Sequence, residues 1–306
     1  MAENEIFTVG EASPANTFLA IWMAKDAGLY AAQGLDVAIV KTVGGSQTGP
    51  DLTDGTVDLM HIGLSSSVRA RAAGADLRTI GSLSNLVRGT FFAAPGIETA
   101  ADIRGKAVGI SSVGSESDPT ATLALRQLGL ERSDVTFKEI GTQRLGPLRA
   151  GEVALTSLGE PYRSEAFALG LKAMADLYAE RIPWLYSGLA VHRRTITERR
   201  DSLVRFMKAT AEGNRLAIHD GDYAKRVLAQ ALDIGEPAIA AKSYDNFRAE
   251  TPRNCEMTNA GAQTIIDLVA PPEASHKIED YLDPSILDGL EGDGYFAALT
   301  DRYGTP

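Results

Sequence analysis

The sequence predicts an α/β protein of two similar lobes that face each other across a cleft, followed by a helical tail. Three observations predict it. A strand, bend, helix, turn, strand grammar occurs twice; strands alternate with helices through the first two thirds; and from Thr197 onward apolar residues fall at helical spacing.

In the first copy Asp36 to Val40 reads as an extended run and Gly44-Gly45-Ser46 as a polar bend. Leu52 to Asp58 then forms a short helix with a Gly turn, and Leu59 to Gly63 the next strand. The second copy runs Asp134 to Lys138, a bend at Gly141-Thr142-Gln143, Leu148 to Ala154, and Leu155 to Gly159. Each is a βαβ unit. Ligands of open α/β sheets sit at the carboxyl ends of strands, so two facing copies put a binding cleft between them.

The remaining elements follow in chain order. Ile6 to Val9 is a short apolar strand, and Gly10 to Asn16 a polar loop at its end. Asn16 or Thr17 caps a helix in which Phe18, Ile21, Trp22 and Lys25 recur every three or four residues before Gly28 stops it. Free N–H groups in its first turn suit a carboxylate, sulfonate or phosphate. Strands are predicted at Leu77 to Leu83, Phe91 to Ala94 and Ala107 to Ile110, with a helix over Ser65 to Ala73, so the sheet is expected to be mostly parallel. Ser111 to Asp118 is a second small-residue loop, feeding a helix through Ala121, Leu125 and Leu128 that ends at Gly129. Gly188 to Val191 is a strand that carries the chain back to the first lobe. The tail helices are Thr197 to Ile218, Tyr223 to Leu232, Pro237 to Phe247 and Thr258 to Val269, separated by Gly, Asp and Pro breaks.

Composition excludes several classes. With 306 residues, 44% hydrophobic and 23% charged, the chain has enough apolar surface for one large core or two medium ones. A net charge of -10 argues against a broad nucleic-acid footprint. Cys255 is the single cysteine, so no internal disulfide or Cys-based metal knuckle forms, and His61, His192, His219 and His276 lack metal-ligand spacing. No metal and no organic cofactor is expected. No apolar stretch is long enough to cross a bilayer. Met1-Ala2-Glu3-Asn4 has neither the basic start nor the apolar segment of a signal peptide, which leaves a cytosolic chain or a mature form whose leader was replaced.

The string Trp22-Met23-Ala24-Lys25-Asp26-Ala27-Gly28-Leu29-Tyr30-Ala31-Ala32-Gln33-Gly34-Leu35-Asp36-Val37 resembles the opening of NitT/TauT-type solute-binding proteins, the NMT1/THI5-like group. Gly44 to Thr48, Gly55 to Asp58, Asp102 to Ile110, Leu148 to Val153, Glu160-Pro161-Tyr162 and Gly188 to Val191 follow in that family's order, through about Val269. Each motif alone is weak; the ordered set is specific. The resemblance implies a type II periplasmic-binding-protein fold. The lobes would comprise residues 1–88, 89–190 and the returning 191–306, with crossings near Arg88 to Phe91 and Ser187 to Val191 and the tail packed on the first lobe. It also implies a monomer that delivers a small organic anion or heterocycle to an ABC permease outside the cytoplasm, lobe closure being the signal. Two departures concern local geometry. Gly49-Pro50 interrupts a usually continuous helix, so that segment is expected to be short or start late, and Ala154 stands where an acidic residue is common.

Binding in such a cleft needs short polar side chains and free N–H groups at strand ends, with flat apolar faces beside them. The candidates are Asn16 and Thr17; Gly45, Ser46 and Gln47; Ser65 and Ser66; Ser112, Gly114 and Ser115; Thr142; and Glu160. Capping and turn chemistry is the competing account of each. Arg88, at the first crossing, and Arg144, opening a helix after Thr142-Gln143, are the candidate cations, since a guanidinium grips an oxyanion with two parallel bonds. Trp184 and Tyr186, beside Pro183, are candidate walls, which favours an aromatic or heteroaromatic anion. Phe18 and Trp22 fit a core stripe better.

Two functions from different classes follow. One is non-catalytic capture of a small anion for a permease; the other, which the resemblance also allows, is a THI5-like or decarboxylase-like enzyme on the same fold, with His61 at a strand end as acid or base. A ligand domain of a sensor is a third use of the fold, and would need an attached DNA-binding or membrane segment.

Overall fold

The structure, a computed structural model, describes residues 4–43 and 45–304, without the side chain of Ser46. Gly44, part of the first predicted bend, lies outside the described residues, as does the Ser46 side chain.

Among the described residues, ten strands form two five-stranded sheets. The first contains β1 (Glu5–Glu11), β2 (Leu35–Lys41), β3 (Leu59–Ile62), β4 (Leu77–Leu86) and, from later in the chain, Pro183–His192. The second contains β5 (Thr90–Ala93), β6 (Ala107–Ile110), β7 (Thr136–Glu139), β8 (Leu155–Leu158) and β9 (Ala173–Asp176). With Pro183–His192 as β10, the strand orders are β2-β1-β3-β10-β4 and β7-β6-β8-β5-β9. Both sheets therefore hold the same 2-1-3 parallel unit, which is the duplicated grammar of the sequence. Its Gly turns match as well: Gly55 (φ 83°) and Gly151 (φ 72°) each end the short helix in the left-handed region that a Cβ disfavours.

The expectation of mostly parallel sheets needs correction. Each sheet has two parallel and two antiparallel pairings, because β10 runs against β3 and β4, and β5 against β8 and β9. The antiparallel strands are those that enter or leave a lobe. Val87 N–H donates to Ile182 O (3.0 Å) and Leu177 N–H to Gly89 O (3.0 Å), so the two crossings lie side by side at Val87 to Gly89 and Leu177 to Ile182. The return crossing thus comes earlier than Ser187 to Val191, and residues 183–190 sit in the first sheet. The reason is the length of β4 and β10, ten residues each, which pair from Leu86/Pro183 to Leu77/His192.

Apolar burial explains the first lobe. Phe7 and Val9 alternate inward from β1 against the tail helix Arg200–His219, whose Phe206 stacks on Phe7 (5.0 Å between centroids) and on Tyr30 (5.1 Å). Phe18 and Trp22 belong to this core. Gly213 lets the tail helix cross Leu19–Asp26 closely, where a Cβ would come within 2.5 Å of the Ala20 carbonyl oxygen. The predicted interruption at Gly49-Pro50 is a short helix, Thr48–Asp54, entered through a 3-10 turn at Gly45–Gln47. Pro50 stands in its first turn, where its missing N–H has no helical partner to lose.

The tail does not pack on the first lobe alone. Asn259–Val269 shares a core with Leu64, Val68, Trp184 and the second lobe's Phe91 and Phe92. Pro237–Glu250 reaches the second lobe through Asn246, whose Nδ2 donates to Glu160 Oε1 at 2.8 Å. No helix among the described residues is long and apolar enough to cross a membrane.

Candidate ligand cavity between the lobes

A cavity of about 370 Å³ opens where the strand ends of the two sheets meet. The loop after β1 contributes Ala12, Ser13, Ala15 and Thr17, and the loop after β2 Thr42, Val43 and Gly45; His61, Ile62, Gly63 and Ser66 come from the end of β3 and the helix Leu64–Ala72. The second lobe supplies the equivalent positions: Ser111, Ser112, Ser115, Glu116 and Ser117 after β6, and Gly141, Thr142 and Arg144 after β7. Tyr186 and Ser187 of β10 form the back. The duplicated units thus present the same strand ends from both sides, as expected for open α/β sheets.

The polar groups of the second wall are ordered by one another. Ser117 Oγ accepts from Ser111 N–H (2.7 Å), Ser115 Oγ donates to Ser112 O (2.8 Å), and Ser115 and Ser117 hydroxyls meet at 2.8 Å. Arg144 donates to Ser111 Oγ at 2.6 Å. Among the described residues no carboxylate lies within ion-pair distance of Arg144, and its Nε has no hydrogen-bond partner. Burial pulls its pKa down, opposed by Tyr186. Across the cleft, a Cβ on Gly45 would overlap Ser112 Oγ, so these two loops touch.

His61 and Glu116 line the same cavity. His61 is buried edge-on to Phe18 (5.0 Å, 84°), and its Nε2 has no partner among the described residues. Burial, helped by the charge of Arg88, lowers its pKa to about 4, so it is a neutral imidazole at neutral pH. Glu116 is not among the candidates that the sequence offers, although it stands inside the Ser111 to Asp118 loop. Its Oε1 accepts from Ser65 N–H and its Oε2 from Trp184 Nε1–H, both at 2.7 Å. Burial raises its pKa to about 7 against these bonds. Nothing in the sequence near Glu116 names these partners; the one trace is Gly63, where a Cβ would overlap the Glu116 side chain.

Of the predicted site residues, the cavity brings together Thr17, Gly45, Ser66, Ser112, Ser115, Thr142, Arg144 and Tyr186. The others stand elsewhere. Asn16 is buried and donates to Ser243 O (2.8 Å), tying the first helix to the tail. Gln47 is exposed and bonded to Asp51, and the Ser46 side chain lies outside the described residues. Ser65 is turned behind the wall and offers only its N–H, to Glu116. Gly114 (φ 82°) turns the loop over the stem of Arg69. Glu160 is buried behind the cavity, held by Asn246 and by Ser164 Oγ (2.7 Å). Trp184 is fully buried and serves Glu116, so it is no wall.

Arg88 is likewise beneath the cavity. Burial opposes its charge, but Tyr178 and Glu250 outweigh that and raise its pKa. Cys255 is buried in the first core, and no group of three or more metal-ligating side chains occurs among the described residues.

Comparison with known proteins places this geometry in context. The NMT1/THI5 like family profile matches residues 15–224. No curated protein sequence matches the chain. Among solved structures, the alkanesulfonate-binding protein SsuA of Xanthomonas axonopodis pv. citri, bound to MOPS, is similar at TM-score 0.73 and 21% identity, over 88% of this chain and 93% of that one. The periplasmic aliphatic sulphonate binding protein SsuA of Escherichia coli gives 0.68 and 22%, over 85% and 89%. The desulfurization enzyme DszB in complex with biphenyl-2-sulfinic acid gives 0.67 and 17%, over 95% and 99%. At these identities the likeness is one of fold, shared by binding proteins and an enzyme alike. The two-lobed periplasmic-binding-protein architecture and the family profile across more than half the sequence agree: the chain belongs to the NMT1/THI5-like family.

Proposed function

We propose that this protein is the solute-binding component of an ABC importer, and that it holds a small organic monoanion, a sulfonate or carboxylate, between its lobes. The single observation that carries this reading is Arg144: a guanidinium in the cavity wall, oriented by Ser111, with no carboxylate partner among the described residues. A desolvated cation without a counter-charge is the complement of an anion. Thr17, Ser66, Ser112, Ser115 and Thr142 supply short polar contacts, and Val43, Ile62 and Tyr186 the apolar ones. A cavity of about 370 Å³ suits a small ligand. With Trp184 withdrawn, the rings among the cavity residues are Tyr186 and the imidazole of His61, which favours an aliphatic over a large aromatic solute. SsuA neighbours that bind sulfonates support the same class. The protein works as a monomer outside the cytoplasm and hands its ligand to a permease.

A thermal-shift and calorimetric screen of alkanesulfonates, arylsulfonates and short carboxylates tests this. A true ligand at about a hundred times its Kd stabilises by about 2.7 kcal/mol. Arg144→Ala should cut that stabilisation to about half or less at the same ligand concentration; no shift from any compound in the panel would reject the reading.

A second reading, a THI5-like or decarboxylase-like enzyme, is favoured by one observation: His61 lines the cavity as a neutral imidazole whose Nε2 has no partner among the described residues. It predicts turnover of a bound anion that is lost in His61→Ala while binding persists.

A further inference from the structure

Glu116 belongs to the second lobe, yet both its bonds are made outside it. Oε1 takes the Ser65 N–H at the start of Leu64–Ala72, and Oε2 takes the indole N–H of Trp184 in β10 of the first sheet. The space it fills exists because Gly63 has no side chain. Other polar contacts between the lobes are Asn246 Nδ2 to Glu160 Oε1 (2.8 Å), behind the cavity, and, beside Glu116, Ser66 Oγ to Gly114 O (3.5 Å) and Arg69 to Asp118 (3.7 Å and partly exposed). We propose that Glu116 is an interlobe latch, a carboxyl that holds the cavity side of the cleft shut and must be released to water for it to open.

The latch is also a proton switch. Docked, the carboxyl is buried and its pKa stands near 7; released, it returns toward the ordinary value of 4.5. Opening therefore gives up a proton, and rising pH favours it. Nearby charged or titratable groups are Tyr186 on β10, Arg144 beyond it, Arg69 and Asp118 paired with each other, and His61, neutral above about pH 4. Of these, Tyr186 carries no charge at neutral pH because burial raises its pKa. Between about pH 5 and 7 the open-to-closed ratio should rise about tenfold per pH unit, then level off.

The test needs no ligand, so it stands apart from the reading of the cavity as an anion site. Spin labels at the exposed positions Asp36 and Glu131, one on each lobe, report the interlobe distance by pulsed dipolar spectroscopy. The wild-type distance distribution should shift to longer separations from about pH 5 to 8, and E116Q should remove the pH dependence. Gly63→Ala, whose Cβ takes the carboxyl's place at a backbone angle any residue adopts (φ -69°), should be open at both values. A wild type whose distances do not change with pH, or G63A distances matching the closed wild type, would overturn the proposal.

Discussion

Arg88 and Glu250 meet at 2.8 Å where the first crossing leaves β4, the arginine 4% and the glutamate 12% exposed. The N–H does not point along the contact, so the bond is ionic more than hydrogen-bonded. Tyr178 and Tyr186 lie over the guanidinium at 5.6 and 6.0 Å. The pair joins the hinge to the tail helix Pro237–Glu250. Removing either partner alone should cost about 3–5 kcal/mol, because an uncompensated charge stays buried. Arg88→Met with Glu250→Leu together should cost clearly less than the sum. Urea unfolding of the four proteins checks this; additive losses would mean the ions do not interact.

Arg144 should matter to binding and little to folding. Its hydrogen bond is to Ser111, and no carboxylate among the described residues depends on it. Losing a charge-assisted bond to an anion costs about 1.5–3 kcal/mol, or roughly ten- to a hundredfold in Kd. Lysine should recover only part of that, having no planar fork. Calorimetric titration with the best-binding anion of the screen gives the ratio, and the melting temperature of R144K without ligand should stay close to wild type.

His61 and Glu116 should oppose each other in the pH dependence of stability. The histidine's pKa falls from 6.5 to about 4 on folding, so its contribution is complete above 6.5 and is lost as pH falls toward 4. The glutamate's rises from 4.5 to about 7, so its contribution is complete below 4.5 and is lost as pH rises toward 7. Between about pH 4.5 and 6.5 the wild type should show a nearly flat profile from this pair. His61→Asn should make stability fall with rising pH, and Glu116→Gln should make it rise. Denaturation midpoints across this range decide it, and equal slopes in both variants would refute the assignment.

Acid should loosen the start of β1. Glu5 accepts from Arg199 and Arg205, each at 2.5 Å, and from Ser202 at 2.7 Å, and its pKa is lowered to about 2, chiefly by Arg199 and Ser202. Stability from this carboxylate is present above 4.5 and is lost as pH falls through about 2. Glu5 is more than a third exposed, so screening limits each pair to about 1 kcal/mol or less. Glu5→Gln should be less stable at neutral pH and less acid-sensitive, and the difference should shrink in high salt. Thermal melts at low and high salt show whether it does.

By itself the sequence determined the elements and their duplication. Short apolar runs such as Ala107 to Ile110, periodic helices such as Tyr223 to Leu232, and the breaks that end them are local properties; β6 falls at the predicted bounds, and that helix ends where predicted but begins earlier, at Gly221. It also determined which loops stand at the strand ends, since strand ends in a βαβ unit point one way, and Thr17, Ser66, Ser112, Ser115, Thr142 and Arg144 of those loops line the cavity. Only the tertiary structure decided what those loops meet. The direction of β10, the turning inward of Trp184, the burial of Glu160 under the tail and the docking of Glu116 on Ser65 join residues 51 or more positions apart. No local pattern encodes such pairs. A carboxyl's charge is set by what buries it, and here that is the opposite lobe.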